Sequence, residues 1–303
     1  IGWCDWSSDV CSSDLPKTKA DQENLGNALA RMEEEDPTFK VHVDKDSGQT
    51  LISGMGELHL DIIVDRIKRE FGVAANVGNP QVSYKETITN TVEVKEVFQR
   101  ELNGKGNYAM VQFRISPIAL ADLPEDCKNT FKCSITATDI PSEYWKAIEE
   151  AALGTLSDGP LISGNVERVA IELTGGDHNP VDSNELAFRI ATSMAIGRAL
   201  REAKPVIMEP IMLLTVHSPD DFVGDIISDV NAKRGKIEVM RRHNEYLQEV
   251  VADIPLSEIF GYSTRIRSLS QGRASYSLEF KKFEIAPQQV QSEVLRRIRG
   301  YAE

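Results

Sequence analysis

Residues 209–237 read EPIMLLTVHSPDDFVGDIISDVNAKRGKI and predict the first half of a small mixed domain. The run 211–217 is rich in strand-forming residues, and Ser218-Pro219 then supplies a helix N-cap followed by proline at the first helical position. The helix has one apolar face at the spacing i, i+3, i+4, i+7, made by Val223, Ile226, Ile227 and Val230. Gly235 is expected to end it, so the stretch predicts a strand followed by a helix.

The residues that follow complete this domain. Two strand-like runs, 237–242 and 246–252, are joined by a short polar turn, and a second helix is predicted between Pro255 and Gly272. Tyr276, Leu278 and Phe280 then alternate with polar residues, as in a half-buried strand. The order βαββαβ is typical of the ferredoxin-like sandwich, and we assign it to residues 208–303.

The N-terminal part repeats this order with one strand missing. Residues 16–90 predict helix, strand, strand, helix and strand, the last over 81–87. A ferredoxin-like unit needs a strand before its first helix, but residues 1–15, IGWCDWSSDVCSSDL, stand in that place. This leader lacks the basic and apolar regions of a secretory signal and resembles a translated sequencing adapter. We interpret it as an artefact of a truncated reading frame and expect the first sandwich to lack its first strand.

The composition restricts the classes of function. With 303 residues, 41% hydrophobic and 27% charged, the chain has globular proportions and no apolar run of the length that spans a membrane. Its net charge of −13 argues against a general affinity for nucleic acid, so any such contact is expected to be local. The sequence has no P-loop motif, paired-carboxylate site or nucleophile–base set, so we assign no catalytic residue, metal ligand or cofactor.

The middle part, residues 91–207, is predicted to be α+β and has two irregular polar loops. The first consists of Asn103, Gly104, Lys105, Gly106 and Asn107. Glycines on both sides of a lysine let backbone approach a phosphate while the ammonium group supplies the charge. An ordinary hairpin turn is the simpler interpretation of these residues taken alone.

The second loop runs from Gly175 to Asp182, just before a predicted helix whose free N–H groups would attract anions. Asp182 is the expected N-cap of that helix, and a cap with a turn explains much of the loop. Its Asp and His content also suggests a metal site, but the spacing is poor for metal ligands. His178, beside Pro180, has no obvious role in a core and is the first residue to test.

Basic residues form two clusters in the C-terminal part. The first is Lys233, Arg234, Lys236, Arg241 and Arg242, and the second is Arg265, Arg267 and Arg273 beside Phe260 and Tyr262. A solvated helix end explains the first cluster as well as binding of RNA or an acidic partner does. In the second cluster an exposed aromatic ring beside arginines would suit RNA, although Phe260 also fits the core spacing.

Long strings in each part resemble bacterial elongation factor G. SGMGELHLDIIVDRIKREFGV (53–73) resembles its domain III, VDSNELAFRIATSMA (181–195) its domain IV, and residues 209–237 with IPLSEIFGYSTRIRSLSQGRASYSLEF (254–280) its domain V. The resemblance covers about residues 16–290. It implies two ferredoxin-like sandwiches on either side of a ribosomal protein S5 domain 2-like α+β domain.

The resemblance also implies a function. The chain would supply ribosome-binding domains that promote tRNA–mRNA translocation, coupled to GTP hydrolysis by a G domain missing from this chain. Its partners would be tRNA–mRNA, the decoding region of the small ribosomal subunit, and the stalk base and sarcin–ricin loop of the large subunit. GTP and Mg²⁺ would be bound by the intact family member, which is expected to be a cytoplasmic monomer without membrane contact.

Family roles can be carried over to individual residues. The tip of domain IV corresponds to residues 103–107 and to His178, Asn179, Pro180, Asp182 and Ser183. The ribosomal RNA-binding surface of domain V corresponds to Lys233, Arg234, Lys236, Phe260, Tyr262, Arg265 and Arg267. Asn103 replaces a family glycine, and the second loop has one residue and one proline more than the family's His-Asp-Val-Asp. Two alternatives stay open: recycling or rescue of ribosomes by a divergent paralogue, and a stand-alone ribosome- or RNA-binding module.

Overall fold

The computed structural model describes residues 9–13, 19–43, 50–54, 57–72, 77–78, 82–102, 105–119, 128–244 and 246–300. The chain divides into two compact units, unit 1 with residues 1–83 and 209–284 and unit 2 with residues 84–208 and 285–303. The predicted division into 1–15, 16–90, 91–207 and 208–303 is finer and stays a prediction. Among the described helices, none combines the length and the apolar character needed to cross a bilayer.

The first part of unit 1 has two helices against one sheet. Its elements are β1 (Asp9–Ser13), α1 (Lys19–Glu35), β2 (Lys40–Val43), β3 (Thr50–Gly54), α2 (Glu57–Phe71) and β4 (Val77–Gly78). The strand order is β2-β3-β1-β4. Apolar residues at helical spacing face a common core, which includes Leu25, Leu29 and Met32 of α1 and Ile63 and Ile67 of α2. The predicted helices and ferredoxin-like class are confirmed.

The expectation that this sheet lacks its first strand is wrong. β1, inside the leader, lies between β3 and β4, with Cys11 paired to Ile52 and Ser12 paired to Gly78. Ladder hydrogen bonds are made by backbone groups, so a segment of unusual composition can occupy the position. The run 81–87 is also not the last strand of this sheet, because β4 takes that place.

Unit 2 contains a four-stranded sheet covered by two helices. Its elements are β5 (Lys85–Ile88), β6 (Val92–Leu102), β7 (Lys105–Pro117), β8 (Thr130–Cys133), α3 (Trp145–Thr155), β9 (Val169–Asp177) and α4 (Glu185–Glu202). The sheet has the order β6-β7-β9-β8, in which only the β8–β9 pair is parallel. Phe113 and Ile171 of the sheet, Ile148 of α3 and Phe188 of α4 share one core. This part is α+β, as predicted.

The C-terminal part of unit 1 is the second ferredoxin-like sandwich. Its elements are β10 (Pro205–Ser218), α5 (Asp220–Ala232), β11 (Lys236–Arg242), β12 (Gln248–Pro255), α6 (Tyr262–Ser270) and β13 (Ser275–Ile285). Residues 205–208 of β10 belong to unit 2. The strand order β11-β12-β10-β13 and the order of elements agree with the predicted βαββαβ. Val223, Ile226 and Val230 of α5 are buried in its core, which confirms the apolar face that the sequence predicts. The last helix, α7 (Gln288–Arg299), belongs to unit 2.

β5 connects several segments of unit 2. It pairs antiparallel with the beginning of β10, and all four of its residues are buried. The carboxylate of Glu86 accepts hydrogen bonds from the backbone N–H groups of Leu161 at 3.0 Å and Ile162 at 2.8 Å. Burial raises the pKa of Glu86, while these N–H donors act in the opposite direction. A Cβ atom at Gly159 would overlap this carboxylate, so the chain passes here only without a side chain.

We expect Gly159→Ala to destabilise the protein by about 1–3 kcal/mol, because the new methyl group would displace the buried Glu86 carboxylate. Gly154→Ala is the matched control. It lies in α3 with open space around the added methyl group, so it should stabilise by about 0.5–1 kcal/mol. Urea unfolding of the two variants and the parent chain measures both changes. Equal stability of the two variants would contradict the packing role of Gly159.

Candidate functional site

The two loops predicted to form a tip meet at one end of the sheet in unit 2. Asn103 and Gly104 lie outside the described residues, and the β6–β7 ladder reaches Leu102 and Lys105 on either side of them. The second loop is shorter than predicted, because β9 continues through Gly175 and Gly176 to Asp177. It comprises residues 178–184, between β9 and α4.

Hydrogen bonds join the second loop to the first strand residues after the hairpin. The hydroxyl of Ser183 donates to the carbonyl oxygen of Tyr108 at 2.8 Å, and the Tyr108 N–H donates to the carbonyl oxygen of Asp182 at 2.9 Å. The Asn184 amide donates to Asn107 Oδ1 at 2.6 Å. Gly106 lies directly beneath the Asp182 carboxylate, which occupies the space of a Cβ. The structure therefore brings the predicted tip residues 106–107 and 182–183 together.

The helix after this loop begins later than the sequence suggests. Asn184, with extended backbone at φ −152°, accepts a hydrogen bond from the Ala187 N–H at 2.9 Å and is the N-cap of α4. The prediction of Asp182 as the cap is wrong. Asp182 instead accepts a hydrogen bond from the Asn179 amide at 3.3 Å, which leaves its carboxylate within the loop.

The loop has a hydrogen-bonded interior and an apolar end. The Asn179 side chain accepts from the Val181 N–H at 2.9 Å, and the Ser183 N–H donates to the Asn179 carbonyl oxygen at 2.9 Å. Pro180 is exposed, and Val181 is 88% exposed, the most exposed large apolar residue among those described. The end of the loop therefore presents a small apolar surface on a short, closed turn.

His178 is half-buried, and its imidazole is held at the side of the loop. Its Nδ1 lies 3.2 Å from the carbonyl oxygen of Asp139. Because a carbonyl oxygen only accepts, this contact places the hydrogen on Nδ1. The backbone N–H of His178 donates to Asp177 Oδ1 at 2.9 Å, and the Tyr108 hydroxyl donates to the other oxygen of that carboxylate at 2.9 Å. Burial and this bond to Asp177 raise the pKa of Tyr108.

Lys233 and Arg234, neighbouring predicted RNA-binding cations in the C-terminal sandwich, both have structural partners. Arg234 donates to both oxygens of the buried Glu209 carboxylate, at 2.8 and 3.0 Å, and to Glu258 at 3.1 Å. The bond to Glu209 raises the pKa of the Arg234 guanidinium. Lys233 donates to the Glu258 carbonyl oxygen at 2.7 Å. These two side chains fasten the end of α5 to the neighbouring strand and turn.

The second basic cluster also separates into buried and exposed parts. Tyr262 is 1% exposed and packs edge-on against Tyr276 at 5.4 Å, so the interpretation of it as an exposed aromatic ring is wrong. Phe260 packs against the same core, as its spacing suggests. Arg265 donates to the Asp229 carboxylate at 2.9 Å. Arg265 is nevertheless exposed, and so are Lys236, Arg267 and Arg273.

Three family models match consecutive parts of the chain. The family model described as Elongation Factor G, domain III, matches residues 13–79, that for elongation factor G, domain IV, matches 80–204, and that for the elongation factor G C-terminus matches 206–294. The three matches follow one another along nearly the whole chain. The chain belongs to the elongation factor G family.

Elongation factor G of Salinibacter ruber is 45% identical over 92% of this chain, and that of Thermotoga petrophila is 46% identical over 93%. The chain covers 39% and 40% of these relatives, so it spans about two fifths of their length. A crystal structure of a protein from Thermus thermophilus covers 99% of the chain at 32% identity with a TM-score of 0.85, and 44% of that protein is matched.

We expect Arg234→Ala to lower the free energy of unfolding by about 2–4 kcal/mol, because it leaves the Glu209 carboxylate buried without its bidentate partner. Lys236→Ala is the control two residues away, with an exposed side chain, and should change stability by less than about 0.5 kcal/mol. Urea unfolding of both variants gives the comparison. Similar stabilities would show that Arg234 has no structural role.

Proposed function

We propose that this chain is the ribosome-binding part of an elongation factor that promotes tRNA–mRNA translocation. Membership of the elongation factor G family supports this function, and the joined loops at the end of the unit 2 sheet supply a site for it. The decoding region of the small subunit is the proposed target of this tip. GTP and Mg²⁺ would be bound by a G domain outside this sequence.

The chemistry of the tip favours contact by shape and local hydrogen bonding. The chain carries a net charge of −13, so long-range attraction to RNA is not expected. The carboxylates of Asp177, at the end of β9, and of Asp182, in the loop, accept hydrogen bonds from neutral groups within the tip. These bonds orient both carboxylates, while Pro180 and Val181 are exposed at the end of the loop. Such a surface suits a folded RNA groove, which proteins recognise mainly by shape.

The C-terminal sandwich is proposed to contact the large subunit through its exposed cations. Lys236, Arg267 and Arg273 are exposed at the surface, whereas Lys233 and Arg234 hold the scaffold. Phosphate oxygens of the sarcin–ricin loop or the stalk base are the proposed ligands. Exposed Lys and Arg side chains bind such oxygens in most nucleic-acid interfaces.

A role in ribosome recycling or rescue is the second candidate. It is favoured by the lengthened second loop, in which Asn179-Pro180 changes the end that would reach the tRNA–mRNA duplex. The intact protein can be assayed for translocation and, with recycling factor, for subunit splitting. Splitting without translocation would favour this candidate.

In the intact protein, His178→Ala should slow tRNA movement about tenfold or more while GTP hydrolysis stays within about twofold. The reason is that the imidazole bonds to the Asp139 carbonyl oxygen at the side of the tip, in a part of the chain whose sequence has no P-loop motif. Fast kinetics of a labelled mRNA and of phosphate release measure the two steps. His42→Ala, an exposed histidine on β2, is the matched control and should leave both rates unchanged. Equal losses in both steps would count against the tip as the translocating element.

Lys236→Ala and Arg273→Ala in the intact protein should each weaken ribosome binding and lower the slope of log affinity against log salt by about 1, as expected for one lost phosphate contact. Lys146→Ala, on the exposed side of α3, serves as the control and should leave the slope unchanged. Binding is measured with purified ribosomes over a series of salt concentrations. If Lys146→Ala lowered the salt slope as much as Lys236→Ala and Arg273→Ala, a specific cationic surface would be excluded.

A further inference from the structure

Three side chains of metal-binding types meet at one end of the C-terminal sheet. His217 lies near the end of β10, Glu249 near the start of β12, and His243 directly after β11. His217 and Glu249 are cross-strand partners in the β10–β12 ladder. One nitrogen of each imidazole and one oxygen of the carboxylate all lie within 4.8 Å of one another.

The two distances from the histidine nitrogens to the carboxylate oxygen agree with a tetrahedral site. His217 Nε2 lies 3.4 Å from Glu249 Oε2, and His243 Nδ1 lies 3.5 Å from the same oxygen. Zinc binds histidine nitrogen and carboxylate oxygen at about 2.0–2.2 Å, so two such ligands at a tetrahedral angle stand about 3.4 Å apart. An ion could therefore enter between these atoms with little movement of the backbone.

The surroundings fix the three groups. Arg241 donates to Glu249 Oε1 from Nε at 2.9 Å, so the other oxygen faces the imidazoles. This bond holds the pKa of Glu249 below its usual range, and the carboxylate is therefore ionised at neutral pH. The backbone N–H of His243 donates to the Leu247 carbonyl oxygen at 2.9 Å, and Asn244 Oδ1 accepts a hydrogen bond from the Leu247 N–H at 2.9 Å. The turn that carries His243 is thus tied to the start of β12.

Electrostatics favours one cation shared by the cluster. The imidazole centroids are 4.5 Å apart, and a ligand nitrogen of each ring lies within 4.8 Å of the Glu249 carboxylate oxygen. The nearby guanidinium of Arg242 is paired with Asp220, and that of Arg241 with Glu249 itself. A single metal ion can bind both nitrogens and the carboxylate oxygen, because each residue offers one ligand atom within 4.8 Å of the others. Two imidazoles and one carboxylate are a ligand set that suits Zn²⁺ and not Mg²⁺ or Ca²⁺.

We propose that His217, His243 and Glu249 bind one Zn²⁺ ion, with a fourth position open to solvent. The His217 side chain is 29% exposed and that of His243 is 49% exposed, so a metal ion and a water molecule have access from the surface. Arg241 acts as a positioning residue through Glu249. The bound ion would tie together the ends of β10, β11 and β12.

The test is a titration of the purified 303-residue chain with Zn²⁺ by isothermal calorimetry at neutral pH. Cysteine thiols are alkylated first, since thiolates compete for zinc. We expect one Zn²⁺ per chain and no comparable binding of Mg²⁺. His217→Ala and His243→Ala should each weaken the affinity by at least about tenfold, the loss that follows even from removing an outer-shell partner. His42→Ala, an exposed histidine on β2, should bind like the parent chain.

Co²⁺ provides a second measurement that needs no variant. Tetrahedral coordination gives strong visible absorption bands, whereas octahedral coordination by loosely held water gives weak ones. Strong bands at one equivalent would support the site even if a variant failed to fold. Absence of a Zn²⁺ transition would show that the cluster does not bind the ion, and Zn²⁺ affinity unchanged in both folded histidine variants would place the ion elsewhere. Either result would overturn the proposal.

Discussion

The buried carboxylate of Glu86 organises unit 2. Its carboxylate accepts hydrogen bonds from backbone N–H groups of the turn 161–164. The backbone N–H of Glu86 donates to the Asn165 carbonyl oxygen, and the Glu86 carbonyl oxygen accepts a hydrogen bond from the Glu167 N–H. The strand that contains it also pairs with the beginning of β10. Glu86 therefore connects three segments: β5, the turn 161–164 before β9, and the beginning of β10. A carboxylate in this place is tolerated because backbone dipoles replace the water that burial removes.

Local pattern predicts much of the fold. The apolar faces of α2 and α5 and the βαββαβ order of the last part follow from periodicities that neighbouring residues alone determine. Pairing between distant segments is harder to foresee. The composition of β1 argues against a strand, but the pairing of β1 in the sheet depends on backbone groups. The run that contains β5 suggests a strand of the first sheet, but β5 pairs with β10. The domain III match begins at residue 13, so most of β1 precedes the part with family character.

The candidate site is predictable as a set of loops and less so as a set of contacts. Glycine and asparagine mark both predicted loops, and proline marks the second, whereas the structure joins residues 106–108 to 182–184. The sequence gives the charge of each residue but not its partner. Arg234 and Lys236 are therefore equivalent in the sequence, and only the structure shows that Arg234 binds Glu209. Likewise the cap at Asn184 depends on the backbone angle there, and the cluster around Glu249 depends on strand register. Arg234 and Glu209, like His217 and Glu249, are far apart in the sequence, so their pairing leaves no signal at short separation.

The closed turn 178–184 also has a thermodynamic consequence for recognition. Internal hydrogen bonds through Asn179 and Ser183 fix its backbone before any partner is met. A flexible loop loses conformational entropy when it docks, and that loss subtracts from the affinity. Here the loop is already ordered when the chain has folded. Contact between Val181 and a partner would therefore cost little conformational entropy. Proline at position 180 adds to the effect, because it also narrows the conformations open to the unfolded chain.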